Sequence, residues 1–378
     1  MKLTRLSVLF LLVSALLFAP ANDAAAQKEE KALQKVLASK NLKEIYEIRA
    51  LKIKTIAERA YSADAKGVVS DVCGGENISR YDENGNITEN EIKKYDEASK
   101  RLVPVQKWVS KLNAGQQPEL ELLYYYDEKR GGYEESKKWN FEYDDRQNLI
   151  QQTLSDAQSG DIIEKFMNKY DEKNNRIESA CYNGVKHSYT TAYRYDGNKN
   201  ELESVKSNPV GEIIERITNA YDEAGLKTET AVYCGTCLAK KTTFNKLACE
   251  LDIEKYSQGK LASTVHNVYD DSGNKTEETE ISAAGKRFYL ETFAYDQLNN
   301  LTEKVRYGSN NTIESKETFK YDEMNRKINE YYYGGAPLKL YKSVTNQFND
   351  LRKITETKAF DEKQKPMYKT EFAYEYNQ

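Results

Sequence analysis

The sequence predicts an all-β fold: a long, coiled antiparallel meander of hairpins with roughly twenty strands, preceded by a short N-terminal helical segment. Three observations carry this. Tyr-Asp dipeptides begin at Tyr143, Tyr170, Tyr195, Tyr221, Tyr269, Tyr295 and Tyr321, with gaps of 27, 25, 26, 48, 26 and 26 residues. A degraded copy, Phe244-Asn245, sits inside the long gap, and Phe348-Asn349 and Tyr376-Asn377 continue the beat. A fixed period of this size marks a repeat architecture. Second, the residue four after the Tyr is Gly85, Asn174, Gly225, Gly273, Asn299 or Asn325, the residue types that tolerate positive φ. Third, aromatics alternate along the segments between turns, as in Trp139, Phe141 and Tyr143 or Phe372, Tyr374 and Tyr376. Period two is the strand signature.

Taken in order, residues 1–26 read as a secretory signal. Lys2 and Arg5 precede an apolar run from Leu6 to Pro20, and Ala24-Ala25-Ala26 offers a small-residue cleavage site. The first cysteine is Cys73, so none stands at the cleavage point to carry a lipid. The mature chain is therefore expected to be exported, to the periplasm, cell surface or medium, with no membrane span. Residues 27–49 carry Leu33, Val36, Leu37, Leu42 and Ile45 at helical spacing and predict one or two short helices. Ile53-Lys54-Thr55-Ile56 reads as the first strand, opening a repeat domain over 50–378.

Inside that domain each unit resolves into two strands. Tyr81 and Tyr95 are 14 apart, about half a period. Tyr81-Asp82-Glu83-Asn84-Gly85-Asn86 and Tyr269-Asp270-Asp271-Ser272-Gly273-Asn274 show the turn plan. Tyr ends a strand. Asp82, Asp144, Asp171, Asp196, Asp222, Asp270, Asp296 and Asp322 then open turns, because Asp accepts hydrogen bonds from backbone amides two residues on. Gly or Asn supplies the left-handed residue that completes a type I turn hairpin. The second turn of each unit is looser; Cys234-Gly235-Thr236-Cys237 and Ser257-Gln258-Gly259 are examples. Strand positions between the aromatics are often Lys, Glu or Thr, which predicts an aromatic face with tyrosine ladders and a polar face. The sheet is expected to coil, with the N-terminal helices covering one edge and the edges open to self-association.

Tyr-Asp-x-x-Gly-Asn text at this period resembles the YD-repeat, or RHS-repeat, family, over about residues 50 to 378. The resemblance implies β-hairpin repeats in exported or cell-surface bacterial proteins; in large members the repeats wind into a shell around a toxic C-terminal domain. This chain is most similar to small secreted members of the Bacteroides group. It reads as too short for a closed shell, shows no Asp-Pro-x-Gly text and has no effector segment after the last repeat. The resemblance carries over no catalytic residue.

Composition narrows function mainly by exclusion. With 56 basic and 60 acidic residues interspersed and a net charge of -4, no field exists to attract nucleic acid. Charged residues at 31% and 29 tyrosines suit a thin structure with much surface. The only histidines, His187 in turn-like text and His266 in a strand, lie 79 residues apart, and no nucleophile elbow or phosphate loop is present. No catalytic residue, cofactor or metal ligand is assigned. The five cysteines are Cys73, Cys181, Cys234, Cys237 and Cys249. Cys234 and Cys237 are a candidate disulfide across a hairpin loop; the alternatives are free thiols, other pairings, a redox-active pair, for which a strand turn offers no helix N-terminus to lower a thiol pKa, and a zinc site, for which Cys249 supplies at most one of two further ligands. The Asp82 and Asp270 turns resemble part of a calcium loop but lack the distal Glu, so capped turns explain them. An outer-membrane barrel is disfavoured, since Thr276-Glu277-Glu278-Thr279-Glu280 places charge on both strand faces. The expectation is a non-enzymatic envelope protein acting as an interaction surface or structural module, its partner an envelope protein or glycan. The alternatives are a carbohydrate-binding protein using exposed aromatics, or an accessory or immunity protein for a secreted toxin.

Overall fold

The computed structural model describes residues 45–377. The expected signal segment and most of the 27–49 helical segment lie outside the described residues. A helix, α1, covers residues 45–50, and 24 strands follow. They are β1 (Ile53–Ser62), β2 (Gly75–Tyr81), β3 (Ile87–Asp96), β4 (Arg101–Leu112), β5 (Pro118–Asp127), β6 (Gly132–Tyr143), β7 (Leu149–Asp156), β8 (Ile162–Tyr170), β9 (Arg176–Asn183), β10 (Lys186–Tyr195), β11 (Glu201–Ser207) and β12 (Ile213–Tyr221). The second half comprises β13 (Lys227–Cys234), β14 (Cys237–Phe244), β15 (Glu250–Ser257), β16 (Lys260–Tyr269), β17 (Lys275–Ser282), β18 (Arg287–Tyr295), β19 (Leu301–Gly308), β20 (Ile313–Tyr321), β21 (Lys327–Gly334), β22 (Lys339–Phe348), β23 (Ile354–Asp361) and β24 (Pro366–Tyr376).

Two compact units divide these residues. The smaller holds 45–54, 81–86 and 375–377. Ile48 and Ile53, 2% and 1% exposed, and Tyr81 form its buried centre. The Asn377 amide donates to Lys52 O at 2.8 Å, and a Cβ on Gly85 would lie 2.5 Å from Ile45 O, so the α1 backbone lies directly on this turn.

The larger unit is the sheet. Each strand pairs with its neighbours in sequence, and β1 also pairs with β24. The expected meander of hairpins is present; the expected open coil is not, because the sheet closes on itself. An even strand number lets first and last meet antiparallel: the Ala63 amide donates to Met367 O at 3.1 Å and Tyr61 Oη to Glu371 Oε2 at 3.0 Å. The length that reads as too short for closure suffices, because right-handed strand twist accumulates over 24 strands and closure satisfies the last ladder. Among the described residues β1 and β24 are paired with each other, so neither is a free sheet edge.

The Tyr-Asp turns behave as the sequence predicts. In the turn after β16, the Gly273 amide donates to Asp270 O at 3.0 Å, and Gly273 has φ 81°. Asp270 Oδ1 accepts the Ser272 and Asn274 amides at 3.0 and 2.8 Å. A register shift follows at Val268/Tyr269, the bulge that this turn type imposes. One partner is not evident from propensity: Asn274 Nδ2 returns to Asp270 Oδ2 at 3.0 Å, and Asn148, Asn175, Asn200 and Asn300 do the same for Asp144, Asp171, Asp196 and Asp296. The left-handed position persists without Gly or Asn, at Ala248 (φ 58°), Lys199 (φ 68°) and Arg352 (φ 63°).

The repeat tyrosines act as latches. Tyr143, Tyr170, Tyr195, Tyr221, Tyr269, Tyr295 and Tyr321 each donate their hydroxyl to the carbonyl of the first residue of the strand before their own: Pro118, Leu149, Arg176, Glu201, Glu250, Lys275 and Leu301, at 2.8–3.0 Å. Asn168, Asn219 and Asn267, two residues before their tyrosines, donate to the same carbonyls as Tyr170, Tyr221 and Tyr269. The sheet therefore needs no thick core.

The expected division into an aromatic and a polar face fails. Tyr331, Tyr332 and Tyr333 are consecutive in β21, so rings project from both faces. Tyrosine ladders also give way to cations over rings. The Arg306 guanidinium lies 3.9 Å from the Tyr289 centroid, and Lys275 and Lys304 lie 5.2 and 5.6 Å from the Phe293 centroid. Such contacts contribute about 0.5–1 kcal/mol each at exposed sites. Buried residues in the sheet are mostly small or β-branched, such as Ser204, Val232, Val265, Val305 and Ala359. Ala231 and Val232 are consecutive and both buried, so the two faces are covered alike by neighbouring side chains.

Two outcomes follow from the turns. Ala248→Gly removes a Cβ from a left-handed position and should stabilise the protein by about 1 kcal/mol, read as a rise in denaturant midpoint at unchanged m-value. The carboxyls of Asp144, Asp196, Asp270 and Asp296 are held below the usual carboxylate range, first by the side-chain amide of the Asn four residues on and then by its backbone N–H. Their contribution is complete above the unfolded pKa, about 3.9, and is lost as pH falls through their folded values. Asp→Asn at all four should flatten the acid limb of a circular-dichroism stability profile; an unchanged limb would count against the turn carboxylates as its source.

Candidate functional site

The residues singled out from sequence mostly hold the fold together. The eight Asp residues open turns and the seven tyrosines from Tyr143 to Tyr321 are latches, while Tyr81-Asp82 lies in the smaller unit. His187 is the second residue of β10, not part of a turn; its Nε2 contacts Thr190 Oγ1 at 2.9 Å. His266, in β16 as expected, pairs through Nδ1 with Asp252 Oδ1 at 2.6 Å, exposed and directly across the β15–β16 ladder.

Cys234 and Cys237 are direct cross-strand partners closing the β13–β14 hairpin, with Gly235 at φ 58° as the first loop residue. Positive φ there is the type II′ arrangement. Both thiols are free and exposed. A bridge would close so short a loop that chain entropy contributes at most about 2 kcal/mol.

The seam where β1 meets β24 holds a cleft of about 310 Å³, lined in part by Arg59, Gln347, Glu356 and Glu371. Its charged groups already have partners: Arg59 Nε binds Glu76 Oε1 at 2.8 Å, and Glu371 accepts from Lys369 at 2.7 Å and from Tyr61.

The most distinctive chemistry lies on β4, β5 and β6. Glu121 in β5 is paired across the ladders with Ser110 of β4 and Trp139 of β6. Trp108 stands two residues before Ser110 on the same face. The chain's two tryptophans thus flank one carboxyl. Burial pushes the Glu121 carboxyl up to about 7, against the lowering effect of a hydrogen bond from the Trp108 side chain. Burial, then the Glu121 charge, raises Tyr143, whose hydroxyl donates to Pro118 O. Two half-buried indoles beside a carboxyl that changes charge near neutrality offer flat apolar faces and a hydrogen-bonding group whose role depends on pH. Sequence reading placed Trp139 on an aromatic face but passed over Trp108 and Glu121. The available signal was a lone acid in the apolar run Leu120-Glu121-Leu122-Leu123.

No family model and no curated protein matches this sequence. Among solved structures, the chain is similar to the crystal structure of TcdB2-TccC3-TEV (11% identity, 78% of this chain and 19% of that one, TM-score 0.38). It is also similar to the Photorhabdus luminescens Tc holotoxin pore (10% identity, 78% and 19%, TM-score 0.39). A porin-like protein from Bacteroides uniformis aligns at 9% identity over 85% of this chain and 98% of that one, with a TM-score of 0.25. The chain spans about a fifth of the length of the first two, and likenesses at these scores assign it no function.

Because the folded Glu121 carboxyl holds its proton more tightly than the unfolded one, its contribution is full below about pH 4 and is lost as pH rises through about 7. Glu121→Gln should therefore be more stable than wild type at pH 8, by about 1–2 kcal/mol once water at the half-buried carboxyl is allowed for. The gap should be several-fold smaller at pH 5 and close below about pH 4. Denaturation followed at these pH values checks this, and a gap that does not change with pH would contradict it.

Proposed function

We propose that this chain is an exported member of the YD-repeat family that serves the cell envelope as a non-enzymatic interaction scaffold. One observation supports this above others: the residues that repeat are consumed by turns and latches, so variation is left to two side-chain faces and the turn loops. Such a sheet presents extensive surface for its mass, as repeat proteins do for partners. Charges on both faces of β17, with Glu278 and Glu280 on one and Glu277 on the other, argue for water rather than lipid on either side.

A second reading, glycan recognition, is favoured at one place. Trp108 and Trp139 flank Glu121 on one sheet face where all three are half-buried, an arrangement suited to stacking on a sugar ring while a polar group binds hydroxyls.

Affinity capture from envelope extracts, with the full chain immobilised, separates these readings. The scaffold reading expects the same protein to be retained in repeated experiments, and consistent retention of none counts against it. The glycan reading expects polysaccharides to change tryptophan fluorescence and Trp139→Ala to lower that response at least tenfold; an unresponsive wild type rejects it.

A further inference from the structure

We propose that Cys234 and Cys237 are a reversible dithiol–disulfide couple, closed by exchange with small-molecule disulfides, rather than a structural staple. The β9–β10 hairpin provides an internal control. There Asn183-Gly184-Val185-Lys186 occupies the place of Cys234-Gly235-Thr236-Cys237. Gly184 has φ 61° and Gly235 φ 58°. The Gly184 amide donates to Ile163 O at 2.7 Å, and the Gly235 amide donates to Ile214 O at 2.9 Å. Asn183 pairs with Lys186 as Cys234 pairs with Cys237. The fold thus makes the same hairpin without sulfur, so a bridge is not needed to form it.

The same two thiols are the ones open to reagents. Cys181 is buried, whereas Cys234 and Cys237 are both exposed. Cys73 and Cys249 are less exposed, and their thiols contact backbone carbonyls of Gly75 and Leu247. Direct cross-strand pairing places the Cα atoms about 4.5–5.5 Å apart, within disulfide range. Exposed disulfides that close short loops are the readily reduced kind.

The exchange balances with a glutathione-type disulfide as oxidant. One protein thiolate attacks that disulfide, forming a mixed disulfide and releasing one small thiol. The second protein thiolate then attacks the protein sulfur of the mixed disulfide and releases the other. Two protein thiols lose two electrons and two protons, and the oxidant becomes two thiols.

The test equilibrates the full chain with graded ratios of reduced to oxidised glutathione, blocks free thiols by alkylation and maps Cys234 and Cys237 by peptide mass. The expected result is an intramolecular bond between them that forms and reverses with the ratio, while Tm differs by less than about 3 °C between the two forms. Cys234→Ser/Cys237→Ser should match the reduced form in Tm. Thiols that stay free in excess oxidised glutathione, a persistent glutathione adduct, a bond to another chain, or a larger Tm rise on bridging would each overturn the proposal.

Discussion

The structure rests on one short-range constraint: an aspartate carboxylate that accepts backbone amides from its own turn, next to a tyrosine whose hydroxyl holds the neighbouring strand's first carbonyl. In the β15–β17 segment, Asp270 fixes the turn through Ser272 and Asn274, and Tyr269 ties the end of β16 to Glu250 at the start of β15. The first contact sets where the chain reverses, and the second sets which residues face each other after it. Repeating both yields constant register with only a thin set of buried apolar side chains, such as Leu154, Val265 and Val305, to reinforce it.

Neighbouring turns then support one another. Asn148 Nδ2 donates to Asn174 Oδ1 at 3.1 Å, Asn274 Nδ2 to Asn299 Oδ1 at 2.9 Å, and Lys199 Nζ to Lys173 O at 2.8 Å, each across one repeat. Between the turns, cations lie over rings and carboxylates bridge strands; Glu291, 8% exposed, accepts from Arg306 at 3.0 Å and pairs with Lys304 at 3.1 Å. These contacts are individually small, so stability is spread around the sheet. Glu121 is an exception, a carboxyl whose lowering contact is a hydrogen bond from Trp108 and which is consequently sensitive to pH.

How much of this was legible depends on the range of each interaction. Asp296 and Asn299 declare their turn in six residues of text, because its hydrogen bonds close within that span. The Asn300 side chain is as local, yet propensity treats it as an ordinary turn residue. The Glu121 site was hidden because its members come from three strands: Trp108, Glu121 and Trp139 meet only once the β4–β5 and β5–β6 registers are set, bulges included. The same holds for the rings, whose alternation was plain while their partners, such as Arg306 over Tyr289, were not.

The sequence by itself determined the all-β class, the period of about 26 and the turn after each even strand of the regular repeat, since these depend on contacts within one hairpin. Tertiary structure alone decided that the sheet closes. The pairing of Tyr61 with Glu371 spans 310 residues, and whether β1 reaches β24 depends on twist summed over every strand between them, which no local pattern records.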